Sequence, residues 1–215
     1  MIKKLLILLL LCLCVPAVGQ VPYQKPMMGQ QIDWSHPLAK GLVGYWPMLE
    51  GTGNITQDLS GNGYHGSFID TNLTWSAGTF GSCLSNNGSS DGMSFTTPLQ
   101  LVYSDNHTIS FWLKTPSLDN PYQIYLDMKD KNNVRICTIG QINTVVNVTR
   151  YLADNTYSRS CTLTLNVWQH IVLVYNSAVD AKRYTIYVNN IDVSADGTAN
   201  WGANGTASKG DFCRD

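Results

Sequence analysis

The sequence predicts an all-β protein, a two-sheet antiparallel jelly-roll sandwich, on three observations. Beyond the first 19 residues no segment keeps the apolar period of a helix over roughly 11 residues. From Gly41 onward, short apolar or alternating runs are separated by clusters of Gly, Asn, Asp, Ser and Pro. The length remaining, about 196 of the 215 residues, suits one domain with a substantial core rather than two.

At the N-terminus, Met1-Ile2-Lys3-Lys4 is a basic start, Leu5 to Val15 is an almost unbroken apolar run, and Ala17-Val18-Gly19 is a small-x-small cleavage pattern. A secretory signal peptide is expected at residues 1–19. The run is too short to span a bilayer comfortably, and no second apolar run of about 20 residues follows, so no transmembrane segment is expected. Cys12 and Cys14 follow leucines rather than the small residue that precedes a lipid-modified cysteine. Secretion or display at the cell surface is the expected location.

Residues 20–40 contain Pro22, Pro26 and Pro37 and read as an extended lead-in. The domain itself is expected over 41–193, with strands at 42–46, 65–69, 82–85, 92–95, 108–114, 121–127, 134–140, 145–152, 160–165, 168–175 and 184–189. In the strand from Ile109, alternation puts Ile109, Phe111 and Leu113 on one face and Ser110, Trp112 and Lys114 on the other. Trp168 to Tyr175 is apolar on both faces, as a central covered strand would be. Residues 194–215, rich in Gly, Ala, Asn, Ser and Thr, offer no closing strand. They read as an irregular tail in which the last part of the domain is truncated.

The motifs are GLVGYWPMLEGTG from Gly41, DLSGNGYHG from Asp58, Trp75 with GTFGSCL from Gly78, HTISFWLK from His107, WQHIVLVYN from Trp168 and YTIYVNN from Tyr184. In this order they resemble the LamG-like, concanavalin A-like lectin/glucanase jelly-roll family, over roughly Gly41 to Val193. The resemblance implies the sandwich fold. It leaves the ligand open, because one fold hosts many functions.

Without the leader, which takes Lys3 and Lys4 from 14 basic side chains against 15 acidic ones, the net charge is about −3. No basic patch emerges, which argues against a nucleic-acid partner. Cys83, Cys137, Cys161 and Cys213 remain, and an even count in an exported chain predicts up to two disulfides, with three connectivities open. Six N-glycosylation triplets begin at Asn54, Asn72, Asn87, Asn106, Asn147 and Asn204, of consequence only in a eukaryotic secretory route.

The chemistry points away from catalysis. Glycoside hydrolysis needs two carboxyl groups flanking the bond, whereas Glu50 is the single glutamate and lies in a turn. Asp127 and Asp130, three apart, would fall on opposite faces of a strand. His36, His65, His107 and His170 lack metalloprotease spacing, and the cysteines lack the CxxC spacing of a zinc site. No enzyme is expected. Glu50, Asp58 and Asn62, on glycine-rich turns, offer hard oxygens that could hold Ca2+, although the same residues serve a plain tight turn.

Loop aromatics supply the binding hypothesis. Tyr64, Trp75, Tyr122, Tyr151, Tyr157 and Trp201 lie in or beside loops and are the expected carbohydrate contacts, while Trp46, Trp112 and Trp168 read as core. The expected partner is a glycan or other extracellular surface ligand. The alternative is a structural or adhesive surface domain, cellular or virion-associated, that contacts protein and has no sugar site.

Overall fold

Alternation of apolar and polar side chains sets the architecture. In the strands β6 (His107–Leu113) and β11 (Gln169–Tyr175), Leu113, Ile171, Leu173 and Tyr175 point into the core with Ile109 and Phe111. Thr108, Ser110 and Trp112 are exposed on the other face. The computed structural model describes residues 31–69, 73–85, 92–95, 99, 105–115, 122–129, 135–142, 145–151, 156–180 and 183–196. All described strand pairings are antiparallel, and among the described residues the one helical element is a 3-10 turn at Pro37–Ala39.

A four-stranded sheet runs in the order β13 (Ile191–Asp192), β12 (Thr185–Val188), β11, β6. A five-stranded sheet runs β14 (Ala195–Asp196), β10 (Thr156–Cys161), β9 (Val145–Tyr151), β8 (Arg135–Ile142), β7 (Tyr122–Lys129). The core between them joins Leu173, Ile186 and Val188 of the first to Ile139, Val146, Val148 and Cys161 of the second. Smaller pieces complete the chain. These are a sheet of β1 (Ile55–Thr56), β2 (Gly66–Phe68) and β5 (Met93–Phe95), and a hairpin of β3 (Thr74–Gly78) and β4 (Gly81–Ser85).

The sandwich interior holds a charge. Arg150 is 1% exposed and its guanidinium lies 3.8 Å from the centroid of Tyr175, tying β9 to β11. Beside it, the Tyr184 hydroxyl meets His107 Nε2 at 2.6 Å and hydrogen-bonds the Cys137 thiol. His107 Nδ1 lies 2.6 Å from the Asp105 carbonyl, which can only accept, so Nδ1 carries the proton and Nε2 accepts from Tyr184. Burial and the nearby Arg150 charge lower the His107 pKa against the raising effect of Asp105.

Three expectations are corrected. Residues 42–46 do not form a strand; side chains of the following loop satisfy their backbone instead. The Asp58 carboxylate accepts from the N–H of Tyr45 at 2.9 Å, Ser60 at 2.9 Å and Tyr64 at 3.0 Å, and from the Ser60 hydroxyl at 2.8 Å. Ser60 and Asn62 side chains donate to the Val43 carbonyl, and Trp46 Nε1 donates to that of Tyr64. Burial pushes the Asp58 pKa upward, but these four donors outweigh it and hold the carboxyl below the usual range.

The second correction is the strand expected at 160–165, which lies at Thr156–Cys161. Leu163 is buried outside a strand because the chain turns there, with the Gln169 side chain accepting the Thr164 N–H at 2.7 Å. Further on, β14 lies within the segment read as lacking a strand and pairs with Arg159 and Ser160 of β10.

Third, among the described residues Cys137 and Cys161 are buried free thiols rather than partners of each other, and Cys83 is buried on β4. Cys137 and Cys161 sit on β8 and β10 with β9 between them, about two strand spacings apart and beyond disulfide reach. Burial pushes their pKa values up to about 12 and about 11, which makes them inert. Cys213 and the expected leader lie outside the described residues. Among the described residues no helix is long and apolar enough to cross a membrane. Of the glycosylation triplets, Asn147 is 3% exposed within β9, Asn54 is exposed, and the exposed Asn106 accepts the Ser177 N–H.

Two outcomes test this frame. Asp58→Ala leaves three backbone N–H groups without their acceptor and is expected to cost about 3 kcal/mol in urea unfolding. Because the folded carboxyl titrates below its unfolded value of about 3.9, the Asp58 contribution is complete above about pH 4 and is lost as pH falls further. His107 has the opposite charge. Its lowered folded pKa means that stability is full above about pH 6.5 and falls as acid protonates the unfolded chain more readily. The urea midpoint of the wild type is expected to drop more than that of His107→Gln between about pH 7.5 and pH 5. Equal slopes would remove His107 from the account.

Candidate functional site

The hairpin β3–β4 carries an open concavity. Trp75 pairs with Leu84, Ala77 with Ser82 and Gly78 with Gly81, so Trp75, Ala77 and Ser82 share one face and a two-residue turn, Thr79-Phe80, closes the end. Gly78 allows a close approach. A Cβ there would stand 3.1 Å from the Gly81 carbonyl and 3.3 Å from the Trp168 ring. The hairpin therefore lies tight on Trp168, at the end of the four-stranded sheet.

The turn before β1 supplies the opposite wall. Gly51 has φ +65°, and a Cβ on it would stand 2.9 Å from Ser82 Oγ, so a side chain would crowd the groove. Glu50 anchors this turn by accepting the Gln57 N–H at 2.7 Å, and Trp75 Nε1 donates to the Gly53 carbonyl at 2.9 Å, fixing the indole. Phe68 packs 5.8 Å from the Trp75 ring. The result is an open groove of about 350 Å³ lined by Gly51, Trp75, Ser76, Ala77, Gly78, Gly81 and Ser82. It has one aromatic wall, hydroxyl and backbone groups, and among the described residues no charged lining side chain. The volume is at the lower end of small-molecule clefts, roughly 300–1,000 Å³.

The residues expected to hold calcium do not converge on a cation. Both oxygens of Asp58 are occupied by hydrogen-bond donors, Glu50 turns to the backbone of Gln57, and Asn62 directs its amide nitrogen to the Leu42 and Val43 carbonyls. A calcium ion takes six to eight oxygens. These side chains fit a hydrogen-bonded loop and not that cage, and among the described residues no three His, Cys, Asp or Glu side chains gather as ligands. His65 belongs to the same loop, its Nδ1 accepting the Asp58 N–H at 3.1 Å.

The aromatic residues are scattered. Tyr64 is corrected from surface contact to core: it is 7% exposed, because Asp58 and Trp46 both bind its backbone and draw it inward. Tyr151 and Tyr157 are half-buried, each with a guanidinium over its ring, that of Arg135 at 5.3 Å and that of Arg183 at 5.8 Å. Trp75 alone of the set lines the groove. Tyr122 begins β7, its side chain outside the described set, and Trp201 lies outside the described residues. Asp127 forms an ion pair with Arg135 at 2.7 Å and accepts from Thr138; Asp130 lies outside the described residues.

One aromatic was missed. Trp112, read as core, is 39% exposed on the outer face of β6. It stacks on His170 at 5.2 Å and 26°, Phe80 packs on it at 4.8 Å, and His170 Nε2 hydrogen-bonds Ser110 Oγ at 2.8 Å. Burial lowers the His170 pKa. The signal was in the alternation, which puts Trp112 with Ser110 rather than with Phe111. Trp46 does pack against the core, and Trp168 is half-buried beneath Gly78.

Comparison with curated proteins finds no match. A laminin G-type family model, described as the concanavalin A-like lectin/glucanases superfamily, matches residues 87–210, more than half of the chain. The groove residues 51–82 precede that span, while Trp112, His170 and both main sheets fall within it. Antiparallel sheets packed around one core, with this match across them, place the chain in the concanavalin A-like lectin/glucanases superfamily.

Proposed function

We propose that the chain is a secreted, non-catalytic carbohydrate-binding module whose contact surface is the groove beside Trp75. The observation that carries this reading is the composition of the groove: one immobilised indole, two serines, backbone groups and no charge. A pyranose offers an apolar C–H face to an aromatic ring and hydroxyls around its rim, which such a lining matches. Superfamily membership supports recognition of a carbohydrate or surface ligand.

The non-catalytic part rests on the carboxylates. Glu50 is the only glutamate and is spent on the turn, and Asp127 is paired with Arg135. Recognition is calcium-independent in this reading, since the Asp58 oxygens are already satisfied. The adhesive alternative draws on the apolar Ile191, 66% exposed on the edge strand β13.

Screening the purified protein on an array of neutral glycans, with calcium and with EDTA, tests the proposal. Binding is expected in both buffers and weakens by about 30-fold in Trp75→Ala, since truncating a central aromatic anchor costs about 2 kcal/mol. Binding seen only with calcium would overturn the metal-free reading. No glycan bound, together with concentration-dependent self-association in sedimentation, would replace the carbohydrate proposal with the adhesive one.

A further inference from the structure

The fold sorts the N-glycosylation triplets that lie among the described residues. Asn147 is 3% exposed within β9, so a sugar on its amide is incompatible with the folded sheet. Asn106 is exposed, but its Oδ1 holds the Ser177 N–H at 2.9 Å and ties the entrance of β6 to the turn after β11. Asn54 differs from both. It is exposed on the bend before β1, its backbone carbonyl accepts the Phe68 N–H at 2.9 Å, and no hydrogen bond among the described residues involves its side-chain amide.

Its position gives a sugar there two consequences. The Gly53 carbonyl that accepts the Trp75 indole belongs to the peptide bond shared with Asn54, so Asn54 stands at the rim of the groove. Among the described residues β1 is also the outermost strand of its sheet, and Ile55, next to Asn54, is 46% exposed there. An unpaired edge with an exposed apolar side chain is a template for association, and natural proteins cover such edges.

We propose that Asn54 is an N-glycosylation acceptor when the chain is exported through a eukaryotic secretory route, and that its glycan caps the β1 edge beside the groove. The donor is an oligosaccharide carried on a polyprenyl diphosphate. The Asn54 amide nitrogen bonds to the sugar C1 as the C1–O bond to the diphosphate breaks; the amide gives up one proton and the polyprenyl diphosphate leaves. Transfer precedes folding. In the folded chain the Thr56 side chain that completes the triplet is 0% exposed, its hydroxyl turned to Met48 and Glu50, out of reach of a transferase. The finished fold then accepts the product, since the amide that carries it faces solvent and holds nothing together.

Secretion from a eukaryotic cell, behind residues 1–19 and in parallel behind a proven secretory leader, tests the proposal. Enzymatic deglycosylation in heavy-oxygen water followed by peptide mapping reads each triplet separately. Secreted protein is expected to carry the label at Asn54 in most molecules and to lack it at Asn147. Asn54→Gln is expected to lose the mass of one glycan, to unfold at the temperature of the deglycosylated wild type, and to self-associate in sedimentation at lower concentration than the glycosylated wild type. An unmodified Asn54 in secreted protein, or a modified Asn147 in folded protein, overturns the assignment. Equal self-association of Asn54→Gln and the glycosylated wild type overturns the edge-capping role. The proposal rests on the secreted reading, and export with the proven leader alone overturns that reading while the label at Asn54 still decides the acceptor.

Discussion

The buried guanidinium of Arg150 is the constraint that the sandwich has to satisfy. A charge removed from water is strongly unfavourable unless the interior compensates it. Here the Tyr175 ring lies 3.8 Å beneath it, with Tyr184, Cys137 and the neutral His107 gathered alongside. Those residues come from β6, β8, β9 and β11 and from the position just before β12, so both main sheets contribute. A one-residue slip of β9 or β11 would turn Arg150 or Tyr175 away from the other, and the arrangement therefore fixes a single register. The same register turns Trp112 and His170 outward as stacked neighbours. What is buried on one face of β6 and β11 decides what the other face can present.

Asp58 plays a comparable part at the N-terminal end of the domain. An apolar run such as Leu42 to Trp46 needs partners for its backbone. In place of a neighbouring strand, one carboxylate and the side chains of Ser60 and Asn62 satisfy it. The run held by that loop leads on to the turn at Gly51–Gly53 and then β1, and the Gly53 carbonyl receives the Trp75 indole. The groove wall is thus positioned by a chain of hydrogen bonds that starts in a loop with oxygens suited to a metal and already occupied by donors.

The strands with clean alternation were legible in the sequence. Ile109, Phe111 and Leu113 face the core as their spacing requires, and the motif order led to the correct superfamily. The misses have physical causes. Residues 42–46 have the composition of a strand, but strand identity depends on a partner that local sequence does not reveal. The hairpin strand β3, TWSAG, is too rich in small residues to signal its pairing. Tyr64 and Trp112 were assigned opposite to where they lie, because size and loop position were weighed above hydrogen bonding and alternation. The groove itself was illegible, since it depends on Gly51 meeting Ser82 across 31 positions of sequence.

Where the groove sits relative to the shared fold bears on how recognition arises. The two main sheets, with their charged interior, lie in the span that matches the superfamily, and of the pair Trp75 and Trp112 they supply only Trp112. The other comes from a hairpin outside that span, pressed onto Trp168 through the missing side chain of Gly78. A rigid sandwich can keep its core while a short appended hairpin varies, which is how one fold supports many ligands. In this chain the hairpin meets the matched span where Phe80 packs on Trp112 and where Gly78 lies against Trp168. Length, flexibility or sequence at that tip would change the distance between the two rings without disturbing Arg150 or its partners. The shape of the groove is therefore set by the hairpin, and the stability of the platform beneath it by the sandwich.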